Sequence, residues 1–132
     1  MDVLSLADNN HVEIEAHWPD DNTPVLPILG NNVLMTALIR NLLDNAIRYS
    51  PPENTVHIQF TPSSITVCNT VTEDAKTRTM RWGERFYRPA GSHSSGSGLG
   101  SSIVKRIAHL HGLKAVATAP DHQQVCITLT RL

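Results

Sequence analysis

The chain has 132 residues, enough for a single domain (1–132) whose hydrophobic core needs neither a disulfide nor a metal to hold it together. Its formal net charge is −1 at pH 7, so bulk charge excludes a general nucleic-acid or polyphosphate binder, and any phosphate contact has to be local. The sequence has no run of about twenty apolar residues and no basic-then-apolar leader, so we expect a soluble chain without direct membrane contact.

The first predicted element is a β-strand at residues 11–18, HVEIEAHW. Apolar residues alternate there with polar ones, which is the period-two pattern of a strand with one buried face. The apolar members are Val12, Ile14, Ala16 and Trp18. Residues 1–11 are interpreted as the remnant of a linker from a longer chain.

A long helix is predicted over residues 32–49, which contain neither proline nor glycine. Asn31 or Asn32 is the predicted cap, and the sequence SPPEN at 50–54 ends the helix. At about 100° per residue, the apolar positions fall on one face. These positions are Met35, Ile39, Leu42, Leu43 and Ala46.

The other face of this helix carries polar groups within an arc of roughly 100°. They are Asn41, Asn45, Arg48 and Tyr49. Asparagine is a poor helix former, so two of them four residues apart call for a functional reason. Amide oxygens can ligate Mg²⁺, a guanidinium can pair with phosphate and an aromatic ring can cover a base, which together favour a nucleotide site. The alternative is a solvated face on which Arg48 pairs with Asp44 or Asp2.

Two β-rich runs follow, TVHIQF at 55–60 and SITVCN at 64–69, and their short connection predicts a hairpin. Residues 70–99 have little periodicity, and such a long loop is typical of a lid or a binding segment. A second helix, ending at Gly112, is predicted from its apolar spacing. Its apolar face comprises Leu99, Ile103, Ile107 and Leu110, and its polar side Lys105, Arg106 and His109.

A second hairpin is predicted from LKAVATA at 113–119 and QVCITLTRL at 124–132. Two helices combined with largely antiparallel strands predict an α/β two-layer sandwich with one sheet. Cys68 and Cys126 form no CxxC pair, which argues against a zinc site or a disulfide scaffold and favours a reducing compartment.

A glycine cluster stands directly in front of the second helix, at Gly96, Gly98 and Gly100. Ordered glycine costs backbone entropy, so the cluster needs a compensating role. Glycine amides and the positive end of a helix both attract phosphate, which makes an anion site one interpretation and a flexible surface loop the other. No lysine follows in the P-loop position, which argues against a P-loop enzyme.

Three segments resemble boxes of the catalytic ATP-binding domain of bacterial two-component sensor histidine kinases. NLLDNAIRYSP at 41–51 resembles the N box, whereas GERFYRP at 83–89 and GSGLGSSIVKRIAHLHG at 96–112 resemble the F and G2 boxes. The wording is most similar to the quorum-sensing, catecholamine-responsive type of sensor kinase. The resemblance covers residues 12–131, and three boxes in the right order make it specific.

The resemblance implies the Bergerat fold, a mixed sheet covered on one side by helices, with ATP between the N-box helix and a lid at 82–100. Asn45 would ligate Mg²⁺, with Asn41 in a supporting role, while Arg48 would contact phosphate and Tyr49 would lie near the base or sugar. Hydrolytic relatives carry a glutamate at the position of Asn41, and an amide cannot act as that base, which favours phosphoryl transfer over hydrolysis. The resemblance further implies that Phe86 anchors the lid, that Arg85 or Arg88 reaches the γ-phosphate, and that the nucleotide is contacted at Gly96, Gly98, Leu99 and Gly100.

The chain departs from that family at the G1 box, DxGxG, whose expected place holds NTVTE at 69–73. Asn69 stands for the aspartate that accepts a hydrogen bond from adenine, and its neutral amide is a weaker acceptor. Val71 replaces a glycine, and a β-branched residue does not take positive φ cheaply. Glu73 adds negative charge near a polyanion, and Ser101 stands where the family usually has leucine.

We therefore expect the ATP-binding catalytic domain of a sensor histidine kinase, an enzyme that transfers the γ-phosphate of ATP to a histidine on a separate dimerisation domain and acts with a response regulator. None of the seven histidines lies in the sequence context that family members phosphorylate. The resemblance implies that the full-length protein lies on the cytoplasmic side of a bacterial inner membrane. The altered G1 segment favours one alternative, a degenerate domain with impaired adenine binding that acts as a regulatory or docking module.

Overall fold

A computed structural model describes residues 3–19, 32–72, 75, 82 and 100–132, with the side chains of all of them except 3, 32–35 and 100–102. None of the helices in these ranges combines the length and the apolar character that a bilayer crossing requires. In chain order the elements are α1 (Val3–Asn9), β1 (Glu13–His17), α2 (Asn32–Tyr49), β2 (Thr55–Phe60), β3 (Ser64–Thr70), α3 (Gly100–Leu110), β4 (Leu113–Asp121) and β5 (Gln124–Arg131).

The five strands form one sheet in the order β1-β2-β3-β5-β4. β1 runs parallel to β2, with Ile14 beside Val56, and the other neighbouring pairs are antiparallel. Both predicted hairpins are confirmed, although β4 continues past Pro120 to Asp121, with a shift in register after Thr118. The mixed sheet confirms the predicted two-layer α/β fold.

The hydrophobic core lies on one face of the sheet, under the helices. Strand residues reach it at alternate positions because side chains of a strand point in turn to opposite faces. These residues are Val56, Ile58, Ile65, Val67, Val125, Ile127 and Leu129. α1 contributes Leu6 and Ala7 to the same cluster. The intervening residues, such as His57 on β2 and Thr66 on β3, consequently lie on the other face of the sheet.

α2 occupies the predicted residues and buries the predicted side. Leu42 and Ala46 are buried in the core and Ile39 and Leu43 pack against it, while the Met35 side chain lies outside the described residues. The core also takes Leu38 and Ile47 from this helix, both fully buried. The apolar stripe is therefore wider than predicted, and Leu38 extends it into the angular range between Asn45 and Tyr49.

α3 is present, but the prediction of its apolar face was only partly correct, because Ile107 packs against the core and two other members are exposed. Ile103 is 44% exposed and Leu110 is 69% exposed, whereas Val104 and Ala108 are fully buried. Val104 and Ala108 are four residues apart, which places them on one face that packs against α2 and β4. Small side chains at the contact allow a close approach of the helix, and the larger neighbours are left at its edges.

The predicted buried face of β1 is only half correct. Val12 is buried and Ile14 packs against the core, but Ala16 is exposed and Trp18 is 67% exposed. The reason is position, because β1 is an edge strand and its far end runs past the helices. Trp18 stacks instead on Phe60, with ring centroids 4.1 Å apart.

The prediction that the cysteines are isolated was wrong. Cys68 of β3 and Cys126 of β5 are direct partners across the antiparallel pair and form a disulfide. Sequence spacing alone does not reveal this pairing, since 58 positions separate the two residues and only the strand register brings them together. The bridge lies on the sheet face away from the core, where Cys126 is 6% exposed.

Candidate functional site

A small cavity lies where α2 and the sheet meet Trp82. Its volume is about 20 Å³, which holds roughly one water molecule. Two amide side chains, Asn45 and Asn69, supply its polar lining. The remaining wall is apolar and consists of Leu42, Ala46, Val67, Trp82, Val125 and Ile127. A few polar groups set in an apolar wall are typical of a small-molecule site.

Asn69 reaches the cavity because of its place on β3. It alternates with Ile65 and Val67, so it shares their face and points toward the helices. The side chain is 4% exposed, and its Nδ2 donates to the Thr70 carbonyl at 3.0 Å. Burial of a side-chain amide costs free energy unless the amide is hydrogen-bonded, and this bond holds the Asn69 side chain in place. The side chain still presents a polar group beside the apolar walls of the cavity.

The helical structure of α2 confirms that the four predicted polar residues share one side of the helix. Asn41, Asn45, Arg48 and Tyr49 are all partly buried rather than fully solvated. Asn45 lies at the boundary between the polar arc and the core, one turn beyond Leu42. Of the four residues, it alone is among those that line the cavity.

Arg48 forms the local ion pair that the plain interpretation of this face predicted. Its Nε lies 2.8 Å from Asp44 Oδ1, one helical turn away, with the two side chains 35% and 34% exposed. Surface pairs at this spacing stabilise a helix by about 0.3–0.5 kcal/mol. A phosphate could therefore draw Arg48 away from Asp44 at little cost to the fold. Asp2, the other proposed partner, lies outside the described residues.

Two residues at the G1 position, Asn69 and Val71, are buried. Val71 is 2% exposed and its amide donates to the Gln123 carbonyl at 2.8 Å, while the Ala75 amide donates to the His122 carbonyl at 3.1 Å. Among the described residues, only His11, Glu53 and Gly112 have positive φ, so Val71 avoids the backbone strain that its β-branched side chain would bring there. Valine at this position is accommodated by packing against the β4–β5 turn.

Trp82 is the site residue that the sequence reasoning did not single out. It packs against the core and lines the cavity beside both asparagines. Lys105 of α3 holds its ring from outside, with Nζ 5.4 Å from the ring centroid in a cation–π contact. The signal available in the sequence was a large aromatic residue immediately before the GERFYRP segment.

Most of the predicted lid contacts lie outside the described residues, namely Arg85, Phe86, Arg88, Gly96, Gly98 and Leu99. Glu73 and Ser101 likewise have no described side chain. Gly100 is the first residue of α3, and this helix packs against α2. The N-terminus of α3 therefore follows directly on the glycine cluster, as the anion-site interpretation requires.

The residues present fit a nucleotide by their chemistry. A buried amide at Asn69 can accept from an exocyclic amine, the apolar wall suits a purine face, and Asn45 offers an oxygen to a cation. The cavity is smaller than a purine in this structure, and Trp82 is the wall residue that stands outside the sheet and α2. Movement of Trp82 is thus the simplest way to make room.

Comparison with known proteins gives a consistent family. Residues 30–132 match the profile of the histidine kinase-, DNA gyrase B-, and HSP90-like ATPases. The Sensor protein QseC of Escherichia coli K12 is 48% identical over 113 residues, which covers 86% of this chain and 24% of that protein. The chain therefore spans about a quarter of the length of that curated relative.

Solved structures agree on the fold. The cytoplasmic segment of histidine kinase QseC superposes with a TM-score of 0.68 at 23% identity, over 98% of this chain and 67% of that one. Full-length ShkA in complex with AMPPNP superposes with a TM-score of 0.70 at 18% identity, over 96% of this chain and 27% of that one. The comparisons confirm the resemblance and give no support to the degenerate alternative.

Proposed function

We propose that this chain transfers the γ-phosphate of ATP to a histidine on a separate dimerisation domain. The chain belongs to the family of histidine kinase-, DNA gyrase B- and HSP90-like ATPases, and it is the ATP-binding catalytic domain of a sensor histidine kinase. The observation that carries the proposal is the meeting of Asn45 and Asn69 at one cavity with apolar walls. These two residues come from the segments at the N-box and G1 positions.

Each residue of the site has a role in this proposal. Asn69 accepts a hydrogen bond from the adenine amino group, and the apolar wall around it covers the purine. Asn45 offers its side-chain oxygen to Mg²⁺, with Asn41 beside it on the same arc of α2. Arg48 exchanges Asp44 for a phosphate oxygen, and Tyr49 contacts the base or sugar.

ATP is the source of the phosphoryl group, and Mg²⁺, when held at Asn45, would neutralise charge on the phosphate oxygens. The protein contributes position and charge rather than covalent chemistry. Asn41 has no basic group that could activate water, which favours a protein histidine as the acceptor. The lid at 82–100 closes over the phosphates with Phe86, Arg88 and the amides of Gly96, Gly98, Leu99 and Gly100.

The assignment also proposes partners and a location. The acceptor is the histidine-bearing dimerisation domain of the same kinase, and a response regulator then takes the phosphate. The QseC structure that matches is described as a cytoplasmic segment, and we place this domain on the same side of a bacterial inner membrane.

A transfer assay tests this function. The chain is mixed with γ-labelled ATP, Mg²⁺ and the separately produced dimerisation domain of its own kinase. We expect acid-labile label on that domain, as a phosphohistidine gives, and a loss of label with Asn45→Ala. Asn54→Ala is the matched control, since its side chain bonds the carbonyls of Pro51 and Pro52 away from the cavity. Label that never leaves ATP, or equal transfer by Asn45→Ala, would contradict the proposal.

A further inference from the structure

The sheet face opposite the core carries a compact group of three metal-binding side chains. Glu15 and His17 lie two residues apart on β1, so both point to the same face. β1 and β2 are parallel, and their register sets Glu15 directly beside His57. The three side chains therefore meet because of strand alternation and register, without any loop to hold them.

The atoms that could ligate a cation converge on one point. His17 Nε2 lies 3.3 Å from His57 Nδ1 and 3.5 Å from Glu15 Oε1, and His57 Nδ1 lies 3.8 Å from Glu15 Oε2. Zinc binds imidazole nitrogen and carboxylate oxygen at about 2.0–2.2 Å, so ligand atoms of one tetrahedral ion are separated by about 3.3–3.5 Å. The two separations from His17 Nε2 fall within this range, and the separation between His57 Nδ1 and the second carboxylate oxygen is longer.

We propose that Glu15, His17 and His57 form a site for a borderline divalent cation, Zn²⁺ in particular, on the open face of the sheet. Two imidazoles and one carboxylate are ligands that zinc accepts, and a fourth position stays open to water. The site is independent of the nucleotide cleft, because Val56 and Ile58 on either side of His57 point into the core while His57 points away from it.

The three side chains are accessible to a cation from solution. The exposed fractions are 45% for His17, 42% for His57 and 58% for Glu15. The two imidazole ring planes differ by 19°, and the ring centroids are 5.6 Å apart. Without a cation, the same distances describe a hydrogen bond between the two imidazoles next to a carboxylate. The experiment has to distinguish a cation site from this hydrogen-bonded pair.

Binding would have a mechanical consequence for the sheet. Among the strands of the described residues, β1 lies at an edge of the sheet and pairs only with β2. A cation held by two residues of β1 and one of β2 would join the two strands through their side chains. We therefore expect slower exchange of the β1 amide hydrogens when Zn²⁺ is bound, in addition to the binding itself.

Calorimetry with ZnCl₂ alone tests the site, using the tag-free, metal-stripped chain without nucleotide. We expect saturable binding of one Zn²⁺ per chain, weakened at least tenfold by His17→Ala and by His57→Ala. His109→Ala is the matched control, since it removes an exposed histidine from α3, and it should bind as the parent does. Circular dichroism of each variant confirms that the fold is retained.

The outcomes are distinct. Binding lost in both histidine variants and kept in His109→Ala, with slower exchange in β1, supports the site. Absence of saturable binding by the parent chain, or binding that His17→Ala and His57→Ala leave unchanged, overturns it. Because nucleotide is absent throughout, neither result depends on whether the chain binds ATP.

Discussion

Asn45 of α2 and Asn69 of β3 line the same cavity, although they belong to different layers of the sandwich. Asn45 reaches it from the edge of the helix's polar arc, and Asn69 from the core face of the sheet. An amide on each side of an apolar cleft is an arrangement that ordinary core packing does not require, since a buried polar group costs free energy unless it is bonded. We therefore propose that this pair links the fold to nucleotide recognition.

Replacing Asn45 by alanine tests the cation role on α2. We expect Asn45→Ala to weaken binding of Mg·ADP at least tenfold, because the metal loses a side-chain oxygen that water replaces poorly in a cleft. Binding of ADP without Mg²⁺ should change little. Calorimetry with and without Mg²⁺ measures both, and an equal loss in the two conditions would refute a role in holding the cation.

Restoring the family's acidic residue at the end of β3 should strengthen base recognition. A charged acceptor makes a hydrogen bond stronger than a neutral one by roughly 1 kcal/mol, so we expect Asn69→Asp to tighten ADP binding about fivefold. The carboxylate is buried without nucleotide, so the same change should lower the free energy of unfolding of the free chain. Calorimetry and urea denaturation measure the two effects, and unchanged affinity would argue against Asn69 as the adenine acceptor.

Trp82 should act as a barrier to the cleft. If the cleft binds ligand only when it is open, the apparent affinity is the intrinsic affinity multiplied by the fraction of molecules that are open. A smaller side chain at this position should increase that fraction and so raise the apparent affinity. We expect Trp82→Leu to tighten ADP binding several-fold while lowering the free energy of unfolding. Weaker ADP binding by this variant would show instead that the ring is part of the base platform.

Removing the disulfide should cost stability rather than binding. Cys68 and Cys126 close a long loop, and such bridges contribute about 2–4 kcal/mol. Cys68→Ala with Cys126→Ala should therefore unfold at lower urea than the oxidised parent. Urea curves with and without reductant provide the comparison. If reductant leaves the urea unfolding midpoint of the parent chain unchanged, the presence of the disulfide is contradicted.

Replacing Ser50 should change stability in the opposite direction, because its side-chain hydroxyl lowers the free energy of unfolding. The Oγ is buried and has no hydrogen-bond partner among the described residues. Ser50→Ala should raise the free energy of unfolding by up to about 1 kcal/mol. Ser64→Ala is the control, since its Oγ lies 2.8 Å from Thr61 Oγ1, and its removal should destabilise the turn.

The sequence pattern predicted regular elements well and their contacts less well. Alternation in β2 and β3 and the absence of glycine and proline in α2 are local signals, and all three elements lie where they were predicted. The buried face of α3 was predicted only in part because Ile103 and Val104 are adjacent, and only the neighbouring helix decides which of them it covers. The Cys68–Cys126 bridge and the place of Trp82 depend on strand order and on a distant loop, which no local pattern contains.

The sequence likewise predicted some features of the candidate site and not others. Asn41, Asn45, Arg48 and Tyr49 share an arc of a single helix, so helical periodicity was sufficient to group them. The Arg48–Asp44 pair was foreseen as the plain alternative on the same grounds. That Asn45 and not Asn41 faces Asn69 across the cavity depends on how α2 packs on the sheet, which is a property of the whole core.

Two tryptophans make the shared cleft directly measurable, since the chain has only Trp18 and Trp82. Trp18 stacks on Phe60 at the exposed edge of the sheet, whereas Trp82 lines the cavity with Asn45 and Asn69. Titration of Mg·ADP into the ¹⁵N-labelled chain should shift the Trp82 indole N–H signal in a saturable way and leave that of Trp18 in place. Saturable binding that leaves the Trp82 signal unmoved would contradict a nucleotide cleft between α2 and β3.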